Sequence, residues 1–160
     1  MATLTFRFAE EKDCGLILTF IQGIAAYEKL SCEVVNSEAL IREWLFEKHC
    51  AEVLFACEDG REVGFALFFH NYSTFVGRAG LYLEDLFVLP EYRGRGCGKA
   101  LLKKLAAIAI ERGYGRMEWV CLDWNRPSID FYLSLGAKPM TGWTVYRVAG
   151  DGIRHLAEDA

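Results

Sequence analysis

Leu4, Phe6 and Phe8 alternate with Thr5 and Arg7, a period of two that predicts a strand over residues 3–9. Asp13 can cap a helix whose Leu16, Ile17, Phe20, Ile21 and Ile24 recur at spacings of three and four, ending near Tyr27 and Glu28. A shorter helix is expected after Ser37, with Leu40, Ile41, Trp44 and Leu45 on one face. The texture then turns to strands: 53–57, the hairpin pair Asp59-Gly60, a return from Glu62 to His70, a polar turn over 71–77, and an apolar strand from Leu81 to Leu89 stopped by Pro90. After a glycine-rich segment, Leu101, Leu102, Leu105 and Ile108 mark an amphipathic helix closed near Gly113, followed by a strand from Met117 to Leu122. Asn125-Arg126-Pro127 opens a helix that runs through Leu135 and stops at Gly136. Thr144 to Val148 reads as a last strand and the tail from Gly150 as a short helix. The order predicts one domain over 1–160, of α/β (α+β) class, with a mixed antiparallel and parallel sheet flanked by helices. The crossover near residue 98 should be right-handed and hence join parallel strands.

Composition narrows the partners. The 160 residues are 52% hydrophobic and 25% charged, which excludes a disordered chain. A formal net charge of −4 argues against a general nucleic-acid or anionic-membrane binder and leaves room for a cationic small molecule. The first residues lack the pattern of a secretory signal, and no apolar run approaches the ~18 residues of a membrane helix. Cys14, Cys32, Cys50, Cys57, Cys97 and Cys121 contain no C-x-x-C pair and read as free thiols of a reducing, cytoplasmic setting. His49, Cys50 and Cys57 fit no zinc spacing, so no metal is expected.

The segment Arg93-Gly94-Arg95-Gly96-Cys97-Gly98 lies between a buried strand and a helix, where glycines let backbone approach an anion and the first helical N–H groups point at it. It is neither common nucleotide loop. Lys99 stands where a dinucleotide loop needs glycine, and Arg93 and Ala100 depart from a Walker loop. Arg93, Arg95, Lys99, Lys103 and Lys104 nonetheless place five cations and no acid in residues 93–104 of an acidic chain. A solvated basic helix face is the plain alternative; charge reversal, position and glycines together favour a phosphate-bearing ligand.

Other residues invite chemistry without compelling it. Glu84 and Asp85 interrupt the most apolar strand, so they need a wet face, a cationic partner or a function. Alternation sends them to opposite faces unless a bulge intervenes. Tyr132, among Ile129, Leu133 and Leu135, reads by itself as core, Cys97 as small-residue packing, Asn125 as a helix cap and Trp119 as a sheet residue.

Arg93-x-x-Gly96-x-Gly98 resembles the acyl-coenzyme A loop of the GNAT (Gcn5-related) N-acetyltransferases. Tyr82 to Val88, Leu122 to Asn125, Phe131-Tyr132 and Tyr27 to Leu30 are similar to the spermidine/spermine acetyltransferase branch and its thialysine acetyltransferase-like members. The resemblance implies a GNAT fold, an acetyl-CoA co-substrate, direct transfer to a small primary amine and a homodimer. It implies Glu84 as the base that receives the substrate ammonium's proton and Tyr132 as the acid that protonates the departing thiolate. It implies coenzyme contacts from Leu86, Phe87 and Val88, from Arg93, Gly94, Arg95, Gly96, Cys97, Gly98 and Lys99, and from Asn125, Arg126, Pro127 and Ser128. Substrate contacts are implied for Tyr27, Glu28, Glu84, Asp85, Glu118, Trp119 and Val120. Polyamine-specific members carry an acid where this chain has Tyr72-Ser73-Thr74-Phe75, so a short diamine or lysine-like substrate fits better. A lysine-like substrate also needs a cation for its carboxylate, for which Arg78 and Arg126 are candidates. The rivals are a protein lysine or N-terminal acetyltransferase and a coenzyme A sensor without turnover.

Overall fold

The computed structural model describes residues 3–158. The chain divides into two units, Met1–Leu122 and Asp123–Ala160. The first holds a five-stranded sheet in sequence order: β1 (Leu4–Phe8), β2 (Glu52–Glu58), β3 (Arg61–Ser73), β4 (Arg78–Val88) and β5 (Met117–Glu118). β1 to β4 pair antiparallel and β5 joins β4 in parallel. That parallel pairing follows from the crossover helix α3 (Cys97–Glu111), which packs against β3 and β4.

On one face, α1 (Cys14–Tyr27) buries Ile17 and Phe20 against Phe55, Phe65, Leu67 and Phe87. Phe20 stacks on Phe65 at 5.0 Å and meets Phe87 edge-on at 6.3 Å. Gly23 permits this approach, since a Cβ there would lie 2.9 Å from the Phe87 ring. Asp13 is buried at the head of α1 but makes no side-chain cap. Its carboxylate accepts instead from the Glu10 N–H at 2.8 Å and from Arg7.

Several boundaries differ from expectation. The helix after Ser37 is one capped α turn, α2 (Glu38–Ile41), which widens into a π-helical stretch over Arg42–Glu47. β3 runs on to Ser73, so the turn is only 74–77, held by Val76 N–H on Ser73 Oγ at 3.1 Å. β5 covers two residues rather than the six expected to Leu122.

The second unit carries α4 (Arg126–Ser134) and α5 (Asp151–Glu158). Asn125 accepts from Ser128 N–H at 3.4 Å, the expected cap, and Pro127 sits in the first turn. The last strand expected over 144–148 does not form: that segment is irregular and exposed. Alternation suits a strand only where a neighbour supplies ladder hydrogen bonds, and no pairing reaches it among the described residues.

Candidate active site

β4 carries a bulge. Leu67 faces Asp85 and Phe68 faces Leu83, so Glu84 is the extra residue without an opposite number on β3. The bulge resets alternation, bringing Asp85 and Phe87 to the α1 side while Leu83 turns inward as core. Glu84 is exposed and Asp85 half-buried. Burial first, then the charges of Glu84 and Glu28, push the Asp85 carboxyl up to about 6. Burial likewise raises Glu28, at the end of α1, and raises the Tyr82 hydroxyl, with Glu84 and Glu118 adding to the latter. Glu28, Tyr82, Glu84, Asp85 and Glu118 thus act on one another electrostatically and form an acidic neighbourhood suited to a cationic ligand.

β5 pairs with β4 only at Leu81 and Tyr82. Beyond them the β4 edge through Leu86, Phe87 and Val88 has no strand on that side among the described residues, leaving main-chain groups for an extended ligand. Trp119 and Val120 lie just past the paired stretch, Trp119 half-buried and Val120 exposed. Below β4, Gly94 (φ 76°) and Gly96 (φ 85°) adopt left-handed backbone that side chains resist. Residues 93–96 are all exposed, and no side chain caps α3. The N–H groups of Cys97, Gly98 and Lys99 therefore head the helix without an intrahelical acceptor, as an anion requires.

The two loop arginines are engaged elsewhere. Arg93 donates from Nε to the Val88 carbonyl at 2.9 Å and lies 5.0 Å from the ring centres of both Tyr27 and Phe87. Arg95 stands 3.6 Å from Glu58 and stacks over Tyr92. Between α1 and the end of β4 lies a cavity of about 640 Å³, lined by Phe20, Tyr27, Phe87, Leu89, Pro90 and Arg93 among others. Cys97 is buried against Gly64, and desolvation pushes its thiol up to about 11, which fits packing and not catalysis. In the second unit, Arg126 pairs with Asp130 at 2.9 Å, Ser128 is half-buried at the cap, and the half-buried Tyr132 lies 5.5 Å from the Phe131 ring.

The model of the acetyltransferase (GNAT) family matches residues 20–137, across both units. The chain belongs to the GNAT acetyltransferase family. It is 41% identical over 169 residues to the thialysine N-ε-acetyltransferase of Bos taurus, covering 98% of this chain and 99% of that protein. An integron cassette protein from the mobile metagenome of V. cholerae superposes with a TM-score of 0.80 at 28% identity, over 97% of this chain and 98% of its own. A predicted acetyltransferase of Clostridium acetobutylicum, solved with acetyl-CoA, shares the fold at 18% identity, with a TM-score of 0.75 over 91% of this chain and 97% of that one. The chain is an acetyl-CoA-dependent N-acetyltransferase. None of its described helices is long and apolar enough to cross a membrane.

Asn71, Gly80 and Arg116 stand beside Glu118 and were not singled out from the sequence. Arg116 lies just ahead of β5, two positions from Glu118, a spacing that puts extended residues on one face, but nothing in the sequence marks Asn71 as their neighbour.

Proposed function

We propose that this acetyltransferase moves the acetyl group of acetyl-CoA directly to a primary amine of a small diamine, polyamine or lysine-like (thialysine) molecule. The carboxylates gathered at the β4 bulge, beside an open strand edge, carry this reading. An alkylamine with a pKa near ~10 arrives protonated at neutral pH and must lose a proton before it can attack. Glu84, exposed at the bulge, accepts that proton directly or through water. Asp85 and Glu28 hold the ammonium before transfer, and loss of the positive charge releases the amine to react. Collapse of the tetrahedral adduct expels the coenzyme A thiolate, for which Tyr132 is the proposed proton donor on the resemblance alone.

The thioester arm is proposed to lie along Leu86 to Val88, with its pyrophosphate on the N–H groups from Gly94 to Lys99. Arg93 acts chiefly by fixing the loop to Val88 and Tyr27. Asn125 to Ser128 are proposed coenzyme contacts, and Trp119 and Val120 substrate contacts, on the resemblance alone. The two units are proposed to serve one catalytic domain in the cytoplasm, acting as a homodimer; the family match spanning both units supports the first point.

Thiol release from acetyl-CoA, assayed over thialysine, lysine, ornithine, diamines, spermidine and lysine peptides, tests the reading. Turnover of small amines is expected, with Tyr132→Phe keeping acetyl-CoA binding and losing kcat roughly a hundredfold. Turnover confined to peptides, or coenzyme binding without release to any amine, would overturn it.

A further inference from the structure

Glu118 is held from two sides through one oxygen. Arg116 Nε lies 3.1 Å from Glu118 Oε1, and Asn71 Nδ2 donates to the same atom at 3.4 Å. The crowding is made possible by Gly80, where a Cβ would stand 2.8 Å from Asn71 Oδ1 and 3.2 Å from Arg116 Cγ. Asn71 Oδ1 is buried without a hydrogen-bond partner, and the bond from Nδ2 directs the donor end of the amide toward Glu118. These contacts engage Oε1 of the acid and Nε of the arginine. Among the described residues neither the Oε2 atom of Glu118 nor the terminal fork of Arg116 has a hydrogen-bond or ion-pair partner, which leaves an acceptor and donors for a ligand. Both side chains are partly exposed, at 41% for Arg116 and 36% for Glu118.

An adjacent carboxylate and guanidinium complement a zwitterion. Placement decides which one. Glu118 sits opposite Tyr82 on β4, two positions from Glu84. Two regular strand residues span roughly 6–7 Å and neighbouring strands lie about 5 Å apart, so even with the bulge at Glu84 the two acids are separated on the scale of an extended lysine-like side chain. We infer that Arg116 and Glu118, positioned by Asn71 over Gly80, form a subsite for the α-amino-acid head group of the acceptor amine. The substrate carboxylate pairs with the Arg116 fork and the α-ammonium with Glu118 Oε2, while the side-chain amine lies at Glu84. The other candidates for the carboxylate are less suited: Arg126 is paired with Asp130, and Arg78 begins β4, six residues from Glu84.

The inference rests on the proposed amine acetylation and sharpens its substrate to an α-amino acid. The test compares matched pairs that differ only in the carboxylate: L-lysine against 1,5-diaminopentane, and L-ornithine against 1,4-diaminobutane. The wild-type chain is expected to favour the amino acid in each pair. Arg116→Gln should reduce that preference in kcat/KM about tenfold or more, chiefly through KM, with Arg116→Lys intermediate because charge is kept and the fork lost. Glu118→Gln should weaken both members of each pair, since both carry a distal ammonium. Melting temperature and acetyl-CoA affinity of each variant separate a lost subsite from a damaged fold. A wild-type preference for the diamines, or an Arg116→Gln variant whose preference is unchanged, overturns the subsite while amine acetylation stands. Absence of acetylation of any amine overturns both.

Discussion

Asp85 pays for its position in stability. With its carboxyl raised to about 6, the unfolded chain ionises first as pH rises from ~4, and folding loses free energy until the folded group ionises too. This destabilisation is absent below the ordinary carboxylate range and fully present above about pH 6. Asp85→Asn removes it. Its melting temperature is therefore expected to exceed wild type by several degrees at pH 8, with ~1 kcal/mol worth roughly 2–4 °C at this size, and to match it at pH 4. Its turnover with small amines should fall. Thermal melts at the two pH values check this, and an equal gain at both would show that ionisation is not the cause. Glu84, by contrast, is exposed and outside the core, so its replacement by Gln should change rate and not stability.

At the scale of elements, Arg7 ties three of them together. Its guanidinium meets Asp13 at 2.8 and 3.0 Å and Glu62 Oε1 at 3.1 and 2.7 Å, and lies 4.8 Å from the Phe55 ring centre. It thereby joins β1 to the start of α1 and to β3, and its hydrogen bonds first, then its charge, hold both carboxyls below their usual range. Arg7→Met leaves two acids facing each other, one of them buried, and should cost about 3 kcal/mol at pH 7. Because the pairing depresses the carboxyl pKa values, its contribution is present above ~4 and fades as both acids protonate. Urea unfolding should show a wide gap between variant and wild type at pH 7 and a narrower one at pH 3; a constant gap would assign the loss to packing on Phe55.

The same elements show where sequence reading works. The α1 and α3 periodicities and the β2–β3 turn at Asp59-Gly60 were legible because each is a local pattern with a local cause. The Glu84 bulge was not, since it depends on register against β3. Val120, Cys121 and Leu122 have strand composition but lie beyond the ladder, and Thr144 to Val148 alternates without a neighbour to pair with. The chemistry followed the same division. The glycine loop announces itself by spacing, whereas Arg116 and Asn71 come together only through strand pairing.

The whole molecule raises the question of a second copy. In the second unit Trp143 is 80%, Val145 75% and Tyr146 92% exposed, and Met140, Ile153 and Leu156 are exposed as well. So many large apolar side chains in one short stretch are unusual for a surface that meets only water. The homodimer proposed from the family resemblance would cover them, with irregular chain in place of the strand expected there. Light scattering at micromolar concentration should give twice the chain mass. Trp143→Ser with Tyr146→Ser should shift it toward the single-chain value, while circular dichroism stays unchanged. Retention of the double mass by the paired variant would move the contact elsewhere, and a single-chain mass for the wild type would end the dimer proposal. The same variants separate assembly from catalysis: α1, the β4 bulge and the loop before α3 lie outside the altered stretch, so acetyl-CoA affinity should survive dissociation even if amine turnover does not.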